Sequence, residues 1–383
     1  MVLRRASRCP LHDSPVRSLQ ESVDEAPVPV ARCPMLRPHG EESTEIRGAE
    51  FGSATSYDVA RLAGVSQSAV SRCFKPTASI SEKTRQKVLA AAAELNYSPN
   101  AIARSLITRR SNIIAVLITE TSTRHTPEIL FQLNVELLRR GLHLLLFSIT
   151  QEMGAGDVIA EVLRYKVDGV IACTTLPDDQ ILRCNHRGIP VVLYNRVAPG
   201  QNACSVSCDQ VNANRDIADR LYRSGHRHFA FIGGGADAPV SLQRERGFVG
   251  RLQELGIRDM ANVTGDFGYE SGHDCMLQLV QRALPLDAVV CANDSMAFGA
   301  MDAARYDCAL RIPEDISIVG FDDVSSARRP PYQLTTVRQP VDDLARNVVQ
   351  LLEERIETRD LPPSVLLLPG QLMVRKSARL DPL

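Results

Sequence analysis

The chain has 383 residues, 44% of them apolar, enough to bury a core in each of two or three domains, which excludes a disordered or fibrous protein. No stretch nears the roughly 18 uninterrupted apolar residues of a membrane span and none near the start reads as a secretion signal, so a cytoplasmic protein is expected. The net charge of −1 conceals an asymmetry: residues 54–110 carry nine Lys or Arg against three acids, making this segment +6 and the remainder −7.

A small basic module on an acidic body suits polyanion binding by the module alone. Ten cysteines without tight even spacing read as reduced thiols rather than a disulfide frame.

Residues 1–53, with six prolines and little hydrophobic periodicity, are expected to be a disordered and dispensable leader; a true start at Met35 or nearer Thr55 is one explanation of it. From Ser56 a helical spacing appears, with Tyr57, Val59, Ala60, Leu62 and Ala63 on one apolar face. Gly64 stops this helix, and Ser66 is placed to cap a second one with Ala69, Val70 and Cys73 inward. The two make a helix-turn-helix pattern. A third helix is predicted from Ser81 to about Leu95, burying Val88, Leu89 and Ala92. Polar Gln67, Ser68 and Arg72 on the second helix carry the groups that read adenine and guanine edges in a major groove.

After Arg110 strands and helices alternate. The near-continuous apolar runs Ile113–Ile118, Leu142–Ser148, Gly169–Ala172 and Val191–Tyr194 alternate with helical segments, and the rhythm returns through Phe229–Ile232, Ala288–Cys291 and Ile316–Gly320. This predicts two doubly wound α/β subdomains facing each other across a cleft for a small molecule.

The run Thr55-Ser-Tyr-Asp-Val-Ala-Arg-Leu-Ala-Gly-Val-Ser-Gln-Ser-Ala-Val-Ser-Arg72 resembles the DNA-binding headpiece of the LacI/GalR family of bacterial transcription regulators. Ile80–Val88 and Leu95–Leu106 resemble the family's third helix and hinge; Cys291–Gly299, Ile318–Asp323 and Leu334–Gln339 resemble its sensor signatures. The resemblance implies a periplasmic-binding-protein-like sensor, with a leader at 1–53, headpiece at 54–98, hinge at 99–111 and sensor at 112–383. Within the sensor it implies one subdomain of about 112–209 plus 339–364 and a second of about 210–338 plus 365–383.

By the same resemblance, DNA is met by Thr55, Tyr57, Ser66, Gln67, Ser68, Ser71 and Arg72, and by Asn100, Ala103 and Leu106 of the hinge. Leu106 is the minor-groove wedge, or else a linker residue packed on the sensor. The effector is met by Asn195, Arg244, Phe267, Asn293 and Asp322, with a structural Arg244–Asp322 ion pair as the alternative. The loop after the first sensor strand departs from the family pattern, and Arg124 and His125 there are either solvated loop residues or the mark of an anionic effector.

The expected protein is a homodimeric repressor that binds a pseudo-palindromic operator under control of a sugar, sugar acid or related metabolite. No C-terminal apolar heptads follow, so no tetramer is expected. No cofactor, metal or catalytic set is expected either. Gly233–Gly235 lack phosphate-loop spacing, Cys204 and Cys208 lack a second pair for zinc, and Cys184 with His186 would diverge on a strand or be unfixed in a loop. A transport-type solute-binding protein would need a secretion signal, and a nucleotide-dependent enzyme a glycine fingerprint after the first strand, where Ile118-Thr-Glu-Thr stands.

Overall fold

The computed structural model describes residues 54–75, 78–100, 110–119, 127–150, 152–197, 202–235, 238–282, 284–358 and 361–380. The expectations for residues 1–53 and for Ala103, Leu106, Arg124 and His125 lie outside them. The chain forms two compact units, one ending at Tyr97 and the other running from Ser98.

The first unit holds three helices: α1 (Ser56–Ala63), α2 (Gln67–Cys73) and α3 (Glu82–Glu94). Thr55 and Asp58 start α1 with a reciprocal capping box, Asp58 N donating to Thr55 Oγ1 and Thr55 N to Asp58 Oδ2 at 3.0 Å. The Thr55 hydroxyl, donating to Asp58 Oδ2 at 2.7 Å, and the Thr55 N–H hold the Asp58 carboxyl below its ordinary range. Gly64 ends the helix at φ +64°, a left-handed conformation that favours glycine. Ser66 accepts from Ala69 N and starts α2 at once, and Ser81 caps α3 in the same way. The core uses small side chains: Val59, Ala63, Val70, Cys73, Val88 and Ala92.

Two of the predicted faces are wider than the buried stripe. Tyr57 and Leu62 on α1, and Leu89 on α3, are exposed, while Ala91 is buried with Val88 and Ala92. Three short helices cover only a narrow stripe of one another, and periodicity does not say where its edge falls.

The second unit contains two six-stranded sheets. Its first elements are β1 (Ile113–Thr119), α4 (Pro127–Arg139), β2 (His143–Ile149), α5 (Ala155–Val162), β3 (Gly169–Ala172), α6 (Asp178–Asn185), β4 (Val191–Tyr194) and β5 (Cys204–Cys208). There follow α7 (Gln210–Arg223), β6 (Phe229–Gly233), α8 (Pro239–Glu254), β7 (Met260–Thr264), α9 (Tyr269–Gln281), β8 (Ala288–Cys291), α10 (Asp294–Asp302), β9 (Ser317–Asp322), β10 (Thr335–Arg338), α11 (Val341–Glu357), β11 (Val365–Leu368) and β12 (Gln371–Met373). The strand orders are β11-β5-β4-β3-β1-β2 and β12-β10-β9-β8-β6-β7. Neighbouring strands in these orders pair in parallel, except β12 with β10. Helices cover both faces of such sheets, which is why the inner strands read as unbroken apolar runs.

The chain passes between the sheets three times: between β5 and α7, between β10 and α11, and between β11 and β12. Residues 365–368 are expected in the second subdomain, but β11 pairs with β5 of the first sheet, Val365 opposite Ser205 and Leu368 opposite Cys208. A four-residue apolar run carries no mark of which sheet has an open edge.

Cys204-Ser-Val-Ser-Cys208 looks too polar for a buried strand, yet all five residues are buried, Ser207 Oγ donating to Asn195 Oδ1 at 3.2 Å. The segment with Cys184 is a helix rather than a strand or loop; Cys184 is buried on it and His186 is the residue that closes it. Gly272 lets α9 lie against α10, since a Cβ there would stand 2.2 Å from the Met296 carbonyl oxygen.

Candidate functional site

In the second unit the carboxyl ends of both sheets surround a cavity of about 400 Å³. Thr119 of β1, Cys173–Thr175 after β3 and Tyr194–Arg196 at the end of β4 line it from the first sheet. From the second come Gly235, Asp266, Phe267, Asn293 and Asp322, with Arg244 of α8 and Gln339 of the second crossing. Ligands of open α/β sheets bind at this end because the loops there diverge from a common edge. All five residues expected at the effector thus wall one cavity.

Arg244 is buried. Its Nε donates to Gln210 Oε1 at 2.8 Å, Nη1 donates to the Ala292 carbonyl, and Nη2 faces Asp322 Oδ1 at 3.3 Å. Its guanidinium lies 3.7 Å from the centroid of the Phe321 ring. Burial draws Arg244 below the ordinary arginine range, and Asp322 opposes that shift. The expected alternative of an Arg244–Asp322 ion pair is therefore present within the cavity wall itself.

Asn293 has both polar atoms engaged: Oδ1 accepts from Met296 N at 2.9 Å and caps α10, while Nδ2 donates to the Phe267 carbonyl at 3.0 Å. In this state it positions Phe267 and starts a helix. Phe267 has φ +69°, costly for a bulky residue, and its ring sits over Gly234, where a Cβ would fall 2.2 Å from the ring. The three glycines 233–235 thus form more than a tight turn, because the middle one makes room for the aromatic wall. Asn195 and Asp322 also have positive φ, at +52° and +125°.

Sequence reasoning missed Arg196, Asp266 and the threonines 174 and 175 as cavity residues, and quoted Gln339 only within a signature. Arg196 stands two residues past the end of the apolar strand β4, a position at the carboxyl end of a strand that could have marked it. It is half-buried, donates from Nη1 to the Asn195 carbonyl at 2.7 Å, and is drawn below the usual arginine range by burial.

In the first unit Ser68, Ser71 and Arg72 are exposed along α2, and Tyr57 is exposed on α1. Arg72 Nε donates to the Ser68 carbonyl at 3.4 Å. Gln67, one of the residues expected to read base edges, is half-buried and donates to Ser56 Oγ at 3.3 Å, because the N-terminal ends of α1 and α2 meet there. Thr55 and Ser66 serve as helix caps, the latter also within 2.9 Å of Ser68 Oγ. Arg85 of α3 donates to the Cys73 carbonyl at 3.0 Å and satisfies the end of α2, a contact with no signal in the sequence.

Residues 55–100 match the family of bacterial regulatory proteins named for lacI, and residues 218–378 match a periplasmic binding protein-like domain. The transcriptional regulator CelR of Thermobifida fusca is 33% identical over 83% of this chain and 96% of its own length. The chain belongs to the LacI family of bacterial transcriptional regulators. A second LacI-family relative, the ribose operon repressor of Escherichia coli, is also 33% identical, over 85% of this chain and all of its own. The lac repressor dimer, solved bound to operator and the anti-inducer ONPF, superposes with a TM-score of 0.77 at 28% identity, covering 85% of this chain and 99% of that one. The CelR–cellobiose complex superposes with a TM-score of 0.62 at 30% identity, covering 85% of this chain and 99% of that one. Among the described residues of this LacI-family chain, no helix is long and apolar enough to cross a membrane.

Proposed function

We propose that the chain is a cytoplasmic, homodimeric repressor that binds a pseudo-palindromic operator and changes its operator affinity when a small polyhydroxylated metabolite enters the cavity. The observation that carries this reading is the convergence of Asn195, Arg244, Phe267, Asn293 and Asp322 on one cavity at the carboxyl ends of both sheets. Ser68, Ser71 and Arg72 read base edges, and Thr55 and Ser66 fix the helices that present them. Two-fold pairing supplies the contact area that one short headpiece lacks.

An uncharged ligand is favoured over the anion suggested by Arg124 and His125. Among the described residues the cavity wall carries Arg196 and Arg244 against Asp266 and Asp322, so its charges balance. Phe267 provides an apolar face for a sugar ring.

The test is a melting screen with D-ribose, cellobiose, other neutral sugars, sugar acids and small carboxylates. A ligand at 100 times its Kd adds roughly 2.7 kcal/mol. A neutral sugar that stabilises the protein and alters its affinity for a selected operator supports the reading. A carboxylate as the best compound overturns the uncharged class, and normal ligand affinity in Arg244→Ala and Asp322→Ala variants overturns the site.

A further inference from the structure

Gln210 has no place in the cavity wall, yet it touches two of the residues that form it. It is the first residue of α7, just past the first crossing, and is 2% exposed. Its Oε1 accepts from Arg244 Nε at 2.8 Å, and its Nε2 donates to Asn195 Oδ1 at 3.0 Å. Asn195 Nδ2 donates to Gln339 Oε1 at 2.7 Å, and Gln339 Nε2 donates to Asp322 Oδ1 at 2.6 Å. Three primary amides therefore run head to tail from a cation to an anion, and the direct Arg244–Asp322 contact closes the ring.

The direction of this chain is dictated by its ends. A guanidinium only donates and a carboxylate only accepts. Arg244 must meet the oxygen of Gln210, which turns the nitrogen of Gln210 toward Asn195. The same constraint passes through Asn195 to Gln339, whose nitrogen then meets Asp322. Reversing any one amide would set oxygen against oxygen or nitrogen against nitrogen at two contacts. Ser207 Oγ and Cys208 N also donate to Asn195 Oδ1, at 3.2 and 3.1 Å, which fixes the middle of the chain independently. Buried chains of aligned amides polarise one another, and a partly satisfied chain is costly.

The two glutamines occupy equivalent places in the topology. Gln210 follows β5 at the first crossing and Gln339 follows β10 at the second, 129 positions later in the chain. We propose that Gln210, Asn195 and Gln339 form a polarised amide relay that locks the two crossings to each other, with Gln210 as the positioning residue that holds Asn195 and Arg244 in register. Its regulatory meaning rests on the cavity being the effector site: a ligand that draws on Arg244 or Asp322 acts on the two ends of the relay and thereby on both crossings.

Hydrogen–deuterium exchange read by mass spectrometry on the full chain, without any ligand, tests the relay. Gln210→Met keeps the length of the side chain and removes both bonds; Gln210→Glu keeps the shape and replaces the donor with a charged carboxylate oxygen that faces Asn195 Oδ1. Each should raise exchange about fivefold or more not only around 207–212 but also around 336–342. Gln339→Met should loosen 207–212 in turn, and the Gln210→Met, Gln339→Met double variant should exchange no faster than the worse single variant, since one relay breaks only once. Loosening confined to the substituted crossing, additive single effects, or a silent Gln210→Glu would overturn the proposal. These outcomes do not depend on an effector, whereas an empty melting screen counts only against the effector reading.

Discussion

The headpiece and the cavity are both polar surfaces built by this chain, and they hold their polar groups in opposite ways. On α2, Ser68, Ser71 and Arg72 stand in solvent with local bonds, Ser68 Oγ to the Ser66 hydroxyl and a long one from Arg72 to the Ser68 carbonyl. In the cavity, Arg244, Asn195 and Asn293 are buried and already bonded to other protein groups. A partner of the headpiece gains bonds by displacing water. A ligand of the cavity must exchange one set of bonds for another, so small differences in its hydroxyl geometry decide whether it binds and whether the walls shift. The exposed surface suits a large polyanion met by several groups together; the bonded one suits discrimination among small molecules.

The largest effect expected is from Arg244→Met. It removes the Arg244 guanidinium from beside Asp322, whose side chain is 11% exposed, and loss of one partner of a buried pair costs ~3–5 kcal/mol. Urea denaturation followed by probes in each unit should register this loss in the second unit alone. An equal loss in the headpiece would break the contrast between the two regions.

Asp294 sharpens it by pH. Burial, with Asp322 adding to the effect, pushes its carboxyl from 3.8 up to about 7. The folded chain therefore keeps a proton that the unfolded chain has already lost, and this group makes stability fall as pH rises between those two values. Asp294→Asn removes this dependence. Its melting temperature relative to the parent should improve from acid to mildly alkaline buffer, and a difference that does not change with pH would rule Asp294 out as the source.

Headpiece substitutions should be smaller and leave the second unit alone. Arg72→Ala is expected to lower affinity for a selected operator by about 1–3 kcal/mol per half-site, with less loss on random DNA. Equal losses on both DNAs in an anisotropy titration would remove Arg72 from base reading. Thr55→Ala should cost ~0.5–2 kcal/mol of headpiece stability through the lost cap, and calorimetry would detect it in that unit only.

Much of the headpiece was legible because its signals are local. The turn at Gly64 and the Ser66 cap each act within four residues, so spacing alone identifies them. Leu62 and Leu89 were misplaced because burial depends on what a neighbouring helix covers. In the body, β1 and β4 announce themselves as apolar runs, while β5 does not: Ser207 finds its partner in Asn195, outside the strand, and Ser205 Oγ is buried without a hydrogen-bond partner among the described residues.

The sequence by itself determined the kind of molecule: a capped helix-turn-helix, a basic segment joined to an acidic body, two rounds of alternating strand and helix, and the residue types a cleft would need. Only the tertiary structure decided that β11 joins the first sheet, that Gly234 makes room for Phe267, and that Gln210, Asn195 and Gln339 align between Arg244 and Asp322. The reason is one of range. Caps, turns and periodicity are set by residues a few positions apart, whereas an open sheet edge, a space beneath a ring and the direction of an amide exist only once distant segments have met.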